Sequence, residues 1–321
     1  MEYTHLGRTG LKVSKLCLGT MNYGTYNTKE ESFNIMDHAL DKGINFFDSA
    51  NVYGSYKGQS EEMIGNWLTE DKQRREKIVL ATKVYGNIGE LPNQSKLSAY
   101  HIKKACEDSL KRLQTDHIDL YQMHHIDRDS PWDEIWQAME QLVREGKILY
   151  VGSSNFAAWN ITEAVYTARA RNFLGLVSEQ SIYSLRNRHI ELEVIPACRQ
   201  FGIGLIPWSP LGGGILCGVL DKPKSGRRSR PQLQASVEKL RPQLEKYENY
   251  CREIGKKPSV VALSWILNNP GVTSPIVGPR TIEQLNENIA ALDFKLTEEN
   301  FKRLDEIWPG PGNQAPEAYA W

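Results

Sequence analysis

The chain lacks most features that assign a protein to a class directly. Its 321 residues carry 39 Lys+Arg and 39 Asp+Glu, a formal net charge of zero. Without a basic excess, nothing points to nucleic acid or to an anionic membrane surface as a partner. The five cysteines, Cys17, Cys106, Cys198, Cys217 and Cys251, are scattered, odd in number and form no CxxC pair. Such usage suits a reducing, cytoplasmic compartment. No apolar run approaches the ~18 residues of a membrane span, and Met1-Glu-Tyr-Thr-His-Leu-Gly-Arg8 holds no apolar signal-peptide core. Nor does a GxGxxG dinucleotide fingerprint follow the first apolar run: Leu6-Gly-Arg-Thr-Gly10 has the wrong spacing and reads as the turn of a capping hairpin.

What the sequence does have is rhythm. Apolar runs of four to eight residues alternate with amphipathic stretches. Strands are expected at 15–20, 44–48, 77–83, 118–124, 148–153, 176–180, 203–208 and 273–278. Helices are expected at 30–42, 60–68, 98–113, 131–144, 159–171, 192–200 and 281–292, with helical stretches at 233–254 and 260–268 and a further C-terminal helix at 298–308. Ser98 is placed as an N-cap and Pro131 in a first helical turn. Eight strands, each followed by a helix, is the count of a (β/α)8 TIM barrel with an N-terminal hairpin cap and an extra C-terminal helix and tail; a doubly wound open sheet, the competing architecture, usually has fewer strands. No linker divides the chain, so residues 1–321 are expected to form one barrel domain. The excursion from Leu211 to about Pro231, rich in Gly, Ser, Lys and Arg, reads as a mobile loop within it.

Polar residues gather at the strand ends, where such barrels keep their active sites. Asp48 ends the second strand, with Tyr53 five residues on in Asp48-Ser-Ala-Asn-Val-Tyr-Gly54. Lys83 ends the third strand and His124 the fourth; Ser153, Ser154 and Asn155 follow the fifth, Gln180 ends the sixth and Trp208 the seventh. A strand-end Lys or a lone His is usually unremarkable; the placement of all of them at one face is what suggests a site. A zinc site from His124, His125 and Asp127 is the competing reading, but neighbouring strand residues diverge and no thiolate lies nearby, so no metal is expected.

These blocks, together with Ala81-Thr-Lys83, Asp119-Leu-Tyr-Gln-Met-His124, Gly152-Ser-Ser-Asn155, Trp208-Ser-Pro-Leu211 and Gly278-Pro-Arg-Thr-Ile-Glu-Gln-Leu-Asn-Glu-Asn288, resemble the aldo-keto reductases in order and over nearly the whole length. The resemblance implies a nicotinamide-dependent oxidoreductase that reduces aldehyde or ketone carbonyls, with a catalytic tetrad of Asp48, Tyr53, Lys83 and His124. Tyr53 would be the general acid. A phenol has a pKa near 10, and an ammonium at ~4 Å in an effective dielectric of ~20 attracts the phenolate by about 4 kcal/mol, or roughly three pKa units as an upper bound. Asp48 would hold Lys83 and partly neutralise it, and His124 would hydrogen-bond the carbonyl.

By the same resemblance, Ser154, Asn155 and Gln180 would hold the carboxamide, and Trp208 would stack on the nicotinamide ring. Ser209, Pro210, Leu211 and Gly213 would line the pyrophosphate, with Thr20, Met21, Asp48 and Gly278 also in contact. Arg280 suits a 2′-phosphate beside a helix N-terminus, so NADP(H) is expected in preference to NAD(H). Gln284 and Asn288 suit the adenosine. Pro279 stands where the family often has a small residue, which alters the local donors. The alternatives are a cofactor-binding regulatory subunit resembling potassium-channel β subunits, and a barrel hydrolase using Asp48, which leaves Lys83 and Tyr53 without a role. The partner expected is a small carbonyl compound. Candidates to shape its site are Tyr23, Tyr26, Tyr56, Tyr85, Trp132, the 211–231 excursion and the aromatic, Pro-rich tail from Pro309.

Overall fold

A short hairpin comes first in the computed structural model, which describes residues 1–221 and 231–320. Strand β1 (Tyr3–His5) pairs antiparallel with β2 (Lys12–Ser14), and the turn between them is Leu6–Leu11, where Leu6 N donates to Leu11 O at 2.9 Å. Eight parallel strands follow: β3 (Cys17–Gly19), β4 (Phe46–Asp48), β5 (Val79–Val84), β6 (Ile118–Met123), β7 (Ile148–Ser154), β8 (Leu176–Gln180), β9 (Gly204–Leu205) and β10 (Ile276–Val277). Their order is β10-β3-β4-β5-β6-β7-β8-β9. Thr273 N donates to Leu205 O at 2.9 Å and Ile276 N to Pro207 O at 2.8 Å, joining the two ends of the sheet. The result is a (β/α)8 barrel.

The last two strands are shorter than their apolar runs suggest. Pro207 and Pro275 interrupt them, and neither has an N–H for a ladder. Both still accept: Pro275 O takes the Cys17 N–H at 3.0 Å.

The main helices are α1 (Lys29–Asp41), α2 (Gln59–Glu70), α3 (Gln73–Glu76), α4 (Ala99–Leu113), α5 (Trp132–Arg144), α6 (Ala158–Ala170), α7 (Val194–Phe201), α8 (Pro231–Glu253), α9 (Pro258–Leu267), α10 (Ile282–Ile289), α11 (Glu298–Ile307) and α12 (Glu317–Ala320). Their starts follow local chemistry. Thr28 and Glu31 form a capping box on α1, Ser98 Oγ accepts from His101 N on α4, and Thr281 Oγ accepts from Gln284 N on α10. Pro131 is the N-cap of α5, one place earlier than the first-turn position assigned to it. The short α3 and α12 have no counterpart in the sequence reading. Of the excursion after Leu211, residues 222–230 lie outside the described residues.

Strand alternation makes two interior layers. Phe46, Ala81 and Leu120 belong to a lower apolar cluster with Leu6, Val13 and Cys17. Two residues along each strand, Asp48, Lys83 and Gln122 form the polar layer above. The hairpin therefore stoppers the N-terminal end of the barrel. Gly7 is required there: a Cβ on it would sit 2.5 Å from Val177 O and 2.7 Å from Gly202 O. The outward residues Phe47, Tyr121 and Val151 pack under the helices, and Phe47 stacks on Trp67 with ring centroids 5.5 Å apart.

The tail packs on the barrel flank. Ala315 N donates to Leu192 O at 3.0 Å, while Arg188 reaches Trp308 O at 3.0 Å and pairs with Asp305.

Candidate active site at the barrel mouth

Three of the four tetrad residues meet directly. Lys83 Nζ donates to Asp48 Oδ2 at 2.5 Å, to Ser49 O at 2.7 Å and to Tyr53 Oη at 3.3 Å. Lys83 is fully buried and Asp48 is 3% exposed. An ammonium has three protons, and here each has an acceptor. Burial on its own would lower the Lys83 pKa, but Asp48 and Tyr53 outweigh it and the net shift is upward.

Asp48 is held from its other side. Oδ1 accepts from Gln122 Nε2 at 2.9 Å and Gln180 Nε2 at 2.9 Å, and Gln180 Nε2 also reaches Gln122 Oε1 at 3.0 Å. Gln122 had no role in the sequence reading. The signal was present, since a polar side chain at an inward position of a strand between Leu120 and the mouth has no place in an apolar core. Gln180, assigned above to a carboxamide, spends its amide N–H groups on Asp48 and Gln122.

Tyr53 departs from expectation. Its pKa is raised, not lowered: burial pushes it up, Lys83 pulls it down, and the nearby Asp48 adds to the rise. Attraction by one ammonium is weaker than the combined effect of desolvation and a carboxylate. His124 lies edge-on to Tyr53, ring centroids 5.7 Å apart. Burial, then Lys83, then His125 push its pKa down to about 3, so the imidazole is neutral at physiological pH. Among the described residues no ring hydrogen bond fixes its tautomer. His125, one residue on, is exposed and turns to Ile126 O.

A second set of groups lies beyond β7, β8 and β9. Ser154 Oγ donates to Gln180 O at 2.9 Å and accepts from Asn155 Nδ2 at 2.9 Å, while Asn155 Oδ1 accepts from Trp208 Nε1 at 2.9 Å. Asn155 is exposed, with a φ of 60°, and Ser209 has a φ of 52°. The turn is anchored by Glu179, which accepts from Ser153 Oγ at 2.5 Å, Ser181 Oγ at 2.6 Å and Phe156 N at 3.2 Å. Pro210 is buried and Leu211 half-buried; Gly212, Gly213 and Gly214 all have positive φ, and a Cβ on Gly213 or Gly214 would meet nothing within 4 Å. Their backbone is open to a close-lying group.

Thr20 is fully buried, bonded to Asp48 O and Ser60 Oγ, and Met21 is 47% exposed. Gly278 is exposed and its carbonyl accepts from Asn22 Nδ2 at 2.8 Å. Arg280 precedes α10 and lies over the Tyr26 ring at 5.8 Å; no ion pair engages its guanidinium among the described residues. Gln284 is exposed and turns back to accept from Arg280 N at 2.8 Å. Asn288 is buried on α10 with Leu285, 6% exposed, one helical turn beyond the exposed Gln284. Of the aromatic loop candidates, Tyr23 is fully buried and Trp132 stacks on Trp136 at 5.3 Å. Tyr56 is exposed and bonded to Glu62, and Tyr85 lies against His125.

Residues 15–309 match the family model of the Aldo/keto reductase family. The chain is 54% identical to the uncharacterized oxidoreductase YrpG of Bacillus subtilis (strain 168), over 100% of both chains. It is 34% identical to the versiconal hemiacetal acetate reductase of Aspergillus parasiticus, over 95% of this chain and 96% of that one. It is also 36% identical to a putative voltage-gated potassium channel subunit beta of Schizosaccharomyces pombe, over 96% of this chain and 93% of that one. The chain belongs to the aldo/keto reductase family.

Proposed function

We propose that this family member is an enzyme that reduces an aldehyde or ketone to the alcohol, with NADP(H) preferred over NAD(H). The observation that carries the reading is the Tyr53 hydroxyl held against a buried, fully bonded ammonium at the open end of the barrel. The dinucleotide, when bound, supplies the hydride that no side chain can. Asn155, Gln180 and Ser154 offer polar groups for its carboxamide, Trp208 an aromatic face, and the backbone of Ser209–Gly213 a bed for the pyrophosphate. Arg280, without an ion pair among the described residues, stands beside the start of α10 and suits the 2′-phosphate, and Gln284 the adenine. By the same reading Thr20, Met21, Asp48, Gly278 and Asn288 would complete the cofactor's surroundings.

Tyr53 gives its proton to the carbonyl oxygen. A raised phenol pKa is no obstacle: an alkoxide is about as strong a base as hydroxide, whose conjugate acid has a pKa of ~15.7, so the transfer is downhill. The phenolate that remains faces Lys83 Nζ. His124, being neutral, can donate one ring N–H to the carbonyl but cannot replace Tyr53 as the acid at pH 7. Asp48 acts through Lys83, and Gln122 acts through Asp48. Five unbridged cysteines support a cytoplasmic setting, and among the described residues no helix is long and apolar enough to cross a membrane.

The likeness to potassium channel β subunits keeps a second reading, a cofactor-binding regulatory subunit. One experiment separates the two. Purified protein with NADPH and a panel of aldehydes and ketones should lose reduced-nicotinamide absorbance in proportion to carbonyl consumed. Tight NADPH retention with no turnover on any carbonyl would favour the regulatory reading.

A further inference from the structure

Two side-chain amides lie behind Asp48 in the upper layer of the barrel. Gln122 is fully buried, and its ladder neighbours are Lys83 on β5 and Gly152 on β7. A Cβ on Gly152 would come within 3.1 Å of Gln122 Cγ and 2.5 Å of Ser178 Oγ, so the glycine makes the room in which the longer side chain lies. Gln180 ends β8 and is also buried.

The orientation of both amides follows from the chemistry of Asp48, because an ionised carboxylate only accepts. Its Oδ1 takes Gln122 Nε2 and Gln180 Nε2, each at 2.9 Å, so both nitrogens face it. With its nitrogen turned that way, Gln122 presents Oε1 to the other N–H of Gln180, at 3.0 Å. Both protons on Gln180 Nε2 are then taken. Reversing the Gln180 amide would set its oxygen against two others, one of them charged, in a low-dielectric interior. Gln180 Oε1 is therefore left on the outer side. No donor reaches it among the described residues, yet it is not one of the side-chain atoms sealed from solvent.

Asn155 has the opposite polarity. Its oxygen already accepts from Trp208 Nε1 at 2.9 Å. Its nitrogen gives one proton to Ser154 Oγ at 2.9 Å, and the other is only weakly engaged, 3.5 Å from His124 O. An accessible acceptor on Gln180 and a spare donor on Asn155 together match a primary carboxamide, with its –NH2 toward Gln180 and its oxygen toward Asn155.

We propose that Gln122 is a positioning residue for the cofactor: it holds the Gln180 amide with its oxygen outward, so that Gln180 accepts from the –NH2 of the nicotinamide carboxamide. The inference rests on the dinucleotide reading above. Gln122 touches neither cofactor nor substrate and acts through Gln180.

The test is a calorimetric titration of the full chain with NADP+ and with its 3-acetylpyridine analogue, in which a methyl group replaces the carboxamide –NH2. Wild type should bind NADP+ about tenfold more tightly, roughly the worth of one hydrogen bond. Gln122→Met, unbranched and apolar, should bring the two ligands to within about threefold. Gln122→Glu should keep the discrimination, because a buried carboxyl beside Asp48 holds a shared proton and its second oxygen still accepts from Gln180. Gln180→Met should match Gln122→Met, and the double variant should lose no more. 2′-Phospho-ADP-ribose, which lacks the nicotinamide, should bind wild type and Gln122→Met alike. Binding needs no turnover, so the result is separate from whether the protein reduces carbonyls. The proposal is overturned if wild type does not distinguish the two dinucleotides, a measurement that needs no variant. It is equally overturned if Gln122→Met and Gln122→Leu keep the full ratio, if they weaken 2′-phospho-ADP-ribose as much as NADP+, or if Gln122→Glu loses the ratio as they do. Failure to bind NADP+ at all would remove the dinucleotide reading as well.

Discussion

The two sides of the barrel mouth are built on opposite plans. On the β4–β6 side the two central charges are fully engaged: Lys83 has three acceptors, and Asp48 accepts from Lys83, Gln122 and Gln180. On the β9–β10 side the groups are held loosely or open: Gly213 and Gly214 with positive φ, whose added Cβ would meet nothing within 4 Å, and Arg280, with no ion pair among the described residues. The difference corresponds to what each side has to do. A proton donor works best when its geometry is set before substrate arrives. A surface that grips a large anionic cofactor must keep its donors free for it.

The comparison is open to direct attack, beginning with the closed side. Tyr53→Phe removes the hydroxyl and should lower kcat for carbonyl reduction by about 10²–10⁴-fold, the usual worth of a general acid, with NADPH affinity unchanged by fluorescence titration. A variant within a few-fold of wild type would remove Tyr53 from the acid role. Lys83→Met leaves Asp48 buried without its counter-ion and should cost about 3–5 kcal/mol of stability in denaturant unfolding. A loss under about 1 kcal/mol, the range of exposed pairs, would mean the closed side is not a buried ionic unit at all.

On the open side the effects should be smaller and fall on binding. Arg280→Ala should weaken NADPH by roughly 10–100-fold, the worth of ~1.5–3 kcal/mol for bonds to a charged group, and leave NADH nearly untouched. Equal losses for both dinucleotides would break the contrast. The gentlest probe is the pH profile of kcat for reduction. The acid form of Tyr53 persists below its raised pKa and is lost only as pH rises through it; His124, titrating near pH 3, has no transition near neutrality. The profile should be flat from about pH 5.5 to 8.5, spanning the ordinary histidine range near 6.5. An inflection there would give His124 the proton.

Much of this layout is legible in the sequence because strands and helices announce themselves locally. Asp48, Lys83 and His124 were readable as strand-end polar residues, and the hairpin turn at Leu6–Gly10 by its failure to match a phosphate-binding spacing. What escaped the sequence depends on distance in the chain. Gln122 matters because 74 residues separate it from the carboxylate it orients. The sign of the Tyr53 shift depends on how deeply the loop is buried, and periodicity does not report burial depth. Asn288 and Gln284 are one helical turn apart, yet Asn288 is buried and Gln284 exposed, a difference set by how α10 packs and not by the helical period.

The stopper at the barrel floor has a consequence in time. Arg8 Nη1 donates to Phe201 O, a partner 193 residues later in the chain. During synthesis at about 5–20 residues per second, the hairpin leaves the ribosome roughly 10–40 s before that partner exists. A segment made well before its partner is thus among the last to be seated, and in the interval Leu6 and Val13 face water. Changes near Met1 should therefore alter the yield of folded protein more than the behaviour of molecules already folded.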